Sequence, residues 1–503
     1  MTPPTPATRT RVLVIGGGPA GSTAATLLAR ENIEVTVLER DRFPRYHIGE
    51  SLLTALHPIL ELAGLREKVE NHGFVKKYGG FFRVKQGTPA GHVDFTKNTL
   101  YKYSWQVRRS EFDKLLLDHA REMGATVHEE TAVDDILFDG PRPVAVQWSR
   151  RDGARGRIEF DELIDASGLS GIMAQRYLRN RHFQETFANV AIGGYWTGAR
   201  PYTDGDGKVH PGAFSMEALA DSSGWTWAIP LAGDTLSLGV VIHRDTFRKW
   251  KEEFGTNRKI YEHGLSLCPD IRALLEGATF QGELCEWADY SYVADSFSGP
   301  HFRLAGDAAA FIDPLFSSGV HLALLGGLSS AATICAVQRG EIDEAGAAAF
   351  HDRYVRKAYT RFVVMVAGFY NQIRQQNQVT LKGVEPLNFQ DAFNLIQPVV
   401  SGNTDVNHKD LNLDVVRRTM KYTTDMMMEL HNMPTGNPVA KLMSRKVLDE
   451  NIGDPFDAID GKYIRMKRGS LGLVEMGRVE GWFQSLKESF VKVVLKGRDT
   501  LKA

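Results

Sequence analysis

The stretch Arg11-Val-Leu-Val-Ile15-Gly16-Gly17-Gly18-Pro19-Ala20-Gly21-Ser22-Thr-Ala-Ala-Thr-Leu-Leu-Ala-Arg30 decides the fold. Its first five residues are the apolar, β-branched run that a buried parallel strand requires. The run enters Gly16-x-Gly18-x-Ala20-Gly21 and then an alanine- and leucine-rich segment of helical character. Gly16 permits a tight turn, Gly18 and Ala20 keep the backbone open to a pyrophosphate, and Gly21 lets helix pack on strand. The helix N-terminus then offers unbonded N–H groups and a positive dipole end to phosphates. A second run, Glu34-Val-Thr-Val-Leu38, ends in Glu39, placed to accept a hydrogen bond from a ribose 2′-OH. A GxGxxG by itself is weak. Strand, turn, helix, second strand and acidic residue in this order predict a bound dinucleotide, and Glu39 disfavours one carrying a 2′-phosphate.

Two later segments narrow the dinucleotide. Asp165-Ala166-Ser167-Gly168 follows the apolar Leu163-Ile164, and Gly306-Asp307-Ala308 follows Phe302-Arg-Leu304-Ala305. Both resemble FAD motifs of the glutathione-reductase-type fold shared with aromatic hydroxylases. The resemblance implies an α/β protein with a Rossmann-like FAD domain and Asp307 at the ribityl chain or pyrophosphate. It also implies an arginine near the cofactor, Arg108 or Arg109, in Gln106-Val-Arg-Arg-Ser-Glu-Phe-Asp113.

The chain has 503 residues, long enough for more than one core, and balances 60 Lys+Arg against 61 Asp+Glu. That balance argues against a nucleic-acid partner, which favours basic excess. Cys268, Cys285 and Cys335 lack metal-ligand spacing and fit free thiols of a reducing cytoplasm, with no metal expected. No apolar run is expected to reach the ~20 residues of a membrane span. The longest, Phe362–Tyr370, reads as a buried helix.

Three local features sort the flavoprotein chemistries that share this fold. The first is Gly224-Trp225-Thr226-Trp227-Ala228-Ile229-Pro230, whose alternating aromatics also suit an edge strand with one packed face. The second is Lys77 in Gly73-Phe74-Val75-Lys76-Lys77-Tyr78-Gly79-Gly80. The third is Phe311-Ile312-Asp313-Pro314-Leu315-Phe316-Ser317-Ser318-Gly319, whose Ser-Gly amides suit a small anion nest.

Together these segments resemble the flavin-dependent halogenases, in wording nearest those of fungal aromatic polyketides. The resemblance implies that Trp225, Trp227, Ile229 and Pro230 partition flavin from organic substrate. Ser318 and Gly319 would bind chloride or bromide. FADH2 and O2 would oxidise the halide to hypohalous acid, captured or hydrogen-bonded by Lys77 beside the substrate. A further segment, Phe43-Pro-Arg-Tyr-His-Ile-Gly49-Glu50-Ser51, resembles the family's Gly-Glu-Ser stretch, implying contacts from Gly49, Glu50 and Ser51 to the cofactor or halide. Tryptophan halogenases carry a glutamate where this chain has Phe316, so the chain reads as nearer the halogenases of phenols and pyrroles, and the expected substrate is a phenol, which its own oxygen activates. No second nucleotide fingerprint is found, so a separate flavin reductase is the expected partner.

The expected layout is a disordered lead over residues 1–10 and an FAD domain over 11–345, with an antiparallel sheet inserted at about 190–295. A helical substrate-capping region is expected over 346–503. Asp425-Met-Met-Met428 and Met433 read as core or as pocket lining. The basic group Lys462, Arg465, Lys467, Arg468 reads as solvated surface or a carrier-protein contact, and the apolar run from Trp482 to Leu495 as a packed amphipathic helix. Two other functions share the FAD motifs: a ring hydroxylase, and a non-catalytic flavoprotein that presents an aromatic metabolite.

Overall fold

A computed structural model describes residues 5–98, 100–376, 389–406, 411–434, 436–449, 451–454 and 458–476. The run from Trp482 lies outside them. The first strand, Arg9–Ile15, starts two residues before the expected boundary and therefore takes up the end of the supposed lead. It is the centre of a parallel sheet, flanked by Val35–Leu38 on one side and Arg155–Asp165 on the other. Thr126–His128 and Phe302–Leu304 extend the sheet in parallel at either end. Val12, Leu13 and Val14 have no exposed surface, as expected of a strand covered on both faces.

A seven-stranded sheet forms the second layer, in the order Thr279–Ala288, Asn189–Thr197, Thr235–His243, Gly224–Leu231, Phe214–Ala218, Gly79–Arg83, Gly91–Asp94. It draws two strands from the N-terminal third, outside the expected insertion. The tryptophan-rich strand Gly224–Leu231 is interior, paired on both sides, which overturns the edge-strand reading. Trp225, Trp227 and Ile229 share one face by the two-residue period of a strand. Thr226 and Ala228 turn to the other, where Ala228 joins a separate core roofed by the helices Arg244–Phe254 and Asn257–Ser266.

Room for Trp227 comes from two neighbouring strands. Gly239 lies beside Trp227 in the register, and Gly193 lies beside Gly239. A Cβ at Gly193 would lie 2.6 Å from the indole, and one at Gly239 would overlap it.

The helix Ser318–Gln338 corrects the expectation about apolar length. It is long and apolar enough to cross a membrane, but 94% of its apolar window is buried inside the protein. Phe362–Tyr370 lies within the longer helix Glu344–Arg374, where most of its side chains are buried. After Phe389–Val400 and Leu413–His431 the chain forms a hairpin, Lys462–Arg465 with Gly472–Glu475, where helix was expected. Lys462 pairs with Glu475 and Arg465 with Glu341, so half of the basic group is spent on internal ion pairs. Met426 fills the space over Gly368, which assigns that methionine to the core. All three cysteines are free.

Overpacking a fitted interior costs about 1–3 kcal/mol. Gly239→Ala is accordingly expected to lower the unfolding temperature in calorimetry, whereas Gly233→Ala, which meets no atoms within 4 Å but has φ +73°, tests backbone strain alone.

Candidate functional site

A cavity of about 700 Å³ runs along the C-terminal ends of the parallel strands. Its wall includes Gly16, Gly18, Ala20, Glu39, Gly49, Ser51, Arg109 and Asp307 from the nucleotide end. It continues past Trp225, Trp227 and Ile229 to Ser317 and Gly319. Gly21 sits behind the wall, where a Cβ would strike the Gly16 carbonyl. Pro230, next to last in the tryptophan strand, is not part of the lining.

Two helices open onto this cavity with no side-chain cap. Pro19–Arg30 begins at Gly18, and Ser318–Gln338 begins at Ser317, a serine in the left-handed conformation at φ +56°. Uncapped N–H groups and a positive dipole end are features that suit each terminus to an anion. The second terminus differs in detail from the expected halide pair. Ser317 and Gly319 line the cavity, whereas the Ser318 side chain is buried behind them.

The expectation of an arginine at either 108 or 109 resolves to Arg109. Its guanidinium holds Asp113 by two bonds, 2.7 and 2.9 Å, and donates to the Ile48 carbonyl at 2.7 Å. Gly49, at φ +102°, lies so close that a Cβ would sit 2.9 Å from that guanidinium. Arg109 thus fixes the turn that brings Gly49 to Ser51 into the wall. Arg108 points elsewhere, donating to Thr235 Oγ1 and the Ala232 carbonyl. Burial would raise the Asp113 carboxyl, but Arg109 and Arg45 overcome it and hold the group below the usual range. Glu39 accepts from the backbone N–H of Gly17 and of Asp41, at 2.6 and 2.7 Å, and burial raises its pKa. Asp307 is pushed up to about 6 by burial, against the pull of Arg109 and Arg181.

Lys77 lies in a second, much smaller compartment of about 20 Å³, room for about one water. Its walls are Leu53, Gly80, Phe82, Val93, Phe95, Phe214, Phe316, Ser317 and Val400. The ammonium nitrogen donates to Ser51 Oγ at 2.8 Å and to the Leu52 carbonyl at 3.2 Å. The rings of Phe95 and Phe214 lie 5.4 and 5.6 Å away. Burial without a carboxylate partner lowers the pKa to about 7. Lys76, the neighbour in sequence, faces outward and pairs with Glu70. Phe214 and Ser317 line both compartments, so the two meet there. Phe316 packs edge-on to Phe369 at 4.7 Å and leaves no carboxylate in the small compartment's wall.

The FAD binding domain family is matched over residues 9–366. Flavin-dependent halogenase armH1 of Armillaria mellea is 41% identical over 513 aligned positions, covering 92% of this chain and 98% of its own. Sulochrin halogenase gedL of Aspergillus terreus is 42% identical, covering 92% and 93%. The myxobacterial chondrochloren halogenase CndH superposes with a TM-score of 0.68 at 29% identity, over 86% of this chain and 99% of that one. The chain belongs to the flavin-dependent halogenases.

A flavin-dependent halogenase uses FAD, and the residues present fit it. Gly16 is at φ +101°, and a Cβ there would strike the Ala166 carbonyl. A Cβ at Gly18 would approach the Arg45 guanidinium to 3.4 Å. These are positions where backbone must stay bare for a phosphate to approach. The motifs directed attention to Ser318, yet Ser317 is the serine shared by both compartments. Phe214 and Tyr370, which matter to the geometry, carry no local signal in the sequence.

Left-handed strain and a backbone clash of about 1–3 kcal/mol lead us to expect at least tenfold weaker FAD binding in Gly16→Ala, read by flavin fluorescence titration. Lys77 supplies a second prediction. Its folded pKa, about 7, lies below the ordinary 10.5, so the unfolded chain binds more protons between those values and stability rises with pH across that window. Lys77→Met removes the penalty, which is full below pH 7. Its unfolding temperature should exceed the parent's by about 2–5 °C at pH 6, with a smaller gain at pH 9.

Proposed function

We propose that this halogenase chlorinates an electron-rich phenolic ring, with hypohalous acid delivered from the flavin cavity to Lys77. The observation that carries the reading is the Lys77 amine, buried and bonded to no carboxylate, in the small compartment that meets the large cavity at Phe214 and Ser317. Bound as FADH2, the cofactor would supply two of the four electrons that reduce O2 to water, the other two coming from halide and ring. The overall balance converts Ar–H, chloride, O2, FADH2 and one proton into Ar–Cl, FAD and two waters. The protein positions the reagents and excludes water.

Halide is held at the uncapped N-terminus by Ser317, Gly319 and the backbone of Ser318. Trp225, Trp227 and Ile229 line the cavity and would serve as the partition between flavin and organic substrate. Hypohalous acid, with two heavy atoms, is far smaller than an aromatic ring and is the reagent that a compartment of this size favours. Two N–H groups of the lysine are directed to Ser51 and Leu52. In the neutral form the lone pair then faces the remaining space, and near pH 7 about half of the amine is neutral. Transfer of chlorine to that nitrogen releases water, and transfer on to the ring regenerates the amine.

The phenol assignment rests on Phe316 and its aromatic neighbours, which offer no base to activate a weaker ring. Similarity to the sulochrin halogenase supports it. A separate flavin reductase provides FADH2, and the free thiols favour a cytoplasmic setting.

Mass spectrometry of a phenol panel incubated with the protein, FAD, a flavin reductase, NADH and bromide should show brominated isotope doublets. Hydroxylated products without halogen would identify a hydroxylase instead. Loss of a positioned catalytic group costs about 10²–10⁴-fold. Lys77→Ala should therefore lose at least a hundredfold in brominated product while bromide-dependent oxidant formation continues.

A further inference from the structure

Behind the tryptophan wall lies a buried polar cluster that the proposed chemistry does not use. Trp225 Nε1 donates to the Tyr370 hydroxyl at 2.7 Å. Tyr370 donates in turn to Asp313 Oδ2 at 2.9 Å. Asn189 supplies one N–H to that carboxylate oxygen at 3.2 Å and one to the tyrosine oxygen at 2.8 Å. The other carboxylate oxygen accepts the backbone N–H of Leu315 at 3.1 Å and so caps the turn Pro314–Phe316.

The bonding leaves little choice of orientation. An indole N–H donates only, so the Tyr370 oxygen must accept from it. That oxygen also accepts from Asn189, and its single proton is therefore left for Asp313. Every group around Asp313 is a donor, and the chain of bonds has one direction, from the tryptophan wall to the turn. All four residues are buried. In such surroundings an unpaired polar group costs far more than a hydrogen bond gains, so the arrangement is tightly held.

The elements joined are distant in sequence: the strands Asn189–Thr197 and Gly224–Leu231, the turn Pro314–Phe316, and the helix Glu344–Arg374. Trp225 belongs to the partition. Asp313 holds the turn whose next residues, Ser317 to Gly319, form the uncapped helix start in the cavity wall.

We infer that Tyr370 is a positioning residue that sets the Trp225 wall and the Ser317–Gly319 halide loop in register through its hydroxyl. The inference rests on the assignment of that loop to halide. Tyr370 touches neither flavin nor halide; it acts through Trp225 on one side and Asp313 on the other. Its contribution is to keep the anion site aligned with the face of the partition, so that oxidant forms where it can pass toward Lys77.

The test uses the full-length enzyme with FAD, a flavin reductase, NADH and bromide, with phenol red trapping the hypobromous acid released. Tyr370→Phe, Trp225→Phe and the double variant are compared with the parent for bromide half-saturation, maximal rate and trapped oxidant per O2 consumed. Tyr370→Phe is expected to raise half-saturation by about tenfold, as for a buried hydrogen bond left half made, and to lower oxidant per O2. FAD affinity, read by fluorescence titration, should stay within twofold. Trp225→Phe should reproduce part of the shift, and the double variant should fall short of the product of the single effects, because both remove the same bond. Parent-like half-saturation and oxidant yield in Tyr370→Phe overturn the inference, as do fully multiplicative effects. A parent that forms no bromide-dependent oxidant overturns the halide assignment itself, which separates the two failures.

Discussion

Two helices must pack closely enough to aim both of their free N-termini into one cavity. Pro19–Arg30 and Ser318–Gln338 meet through Gly327, where a Cβ would lie 2.5 Å from the Ala20 carbonyl. Gly326 keeps the same helix against Ala305. The long helix is apolar around its whole circumference, so it is stable only when surrounded, and its burial is what carries Ser317 to the far end of the flavin cavity. One terminus suits the pyrophosphate of FAD and the other a small anion. Everything else in the site is arranged relative to these two positive ends.

Against that background two of the buried ionisable groups, Lys77 and Asp313, have opposite effects. Lys77 is lowered to about 7 by burial, and Asp313 is pushed up to about 7 by burial against the bonds from Tyr370, Leu315 and Asn189. The lysine weakens the fold most below pH 7. The aspartate, whose folded pKa lies above the ordinary 3.8, costs nothing at low pH and weakens the fold increasingly as pH rises to about 7. Near neutrality the protein carries both costs together. Such concentrated departures from an apolar core are expected where chemistry, rather than stability, selects the residues.

Local spacing explains what was legible in the sequence. Gly16, Gly18 and Gly21 lie within six residues of one another, so their turn could be read directly. The same holds for the tryptophan strand as a strand, though not for its place in the sheet. Gly193 and Gly239 make room for Trp227 only through cross-strand register, which no linear period reveals. Arg108 and Arg109 are adjacent, and only the helix phase from Arg109 to Asp113 separates a buried anchor from a strand-facing bond. Ser317 and Ser318 divide similarly, because the left-handed turn places one in the cavity and the other behind it. The hairpin at Lys462–Glu475 has strands of four residues each, too short for a readable alternation, and one of its two ion pairs reaches back to Glu341.

Size imposes a final constraint on traffic between the compartments. A space of about 20 Å³ beside Lys77 holds a water-sized molecule and excludes an aromatic ring. Phe82 and Phe316 line that space, and Phe369 and Phe393 pack against them from outside it, with neighbouring centroids 4.7 to 5.5 Å apart. A ring can approach the lysine only if part of this cluster moves. Phe82 is held in a sheet and Phe316 in a capped turn, whereas Phe393 and Val400 belong to the helix Phe389–Val400 on the far side. Size thus divides the reagents: the compartment beside Lys77 suits a small oxidant, and an aromatic ring needs more room than its wall leaves.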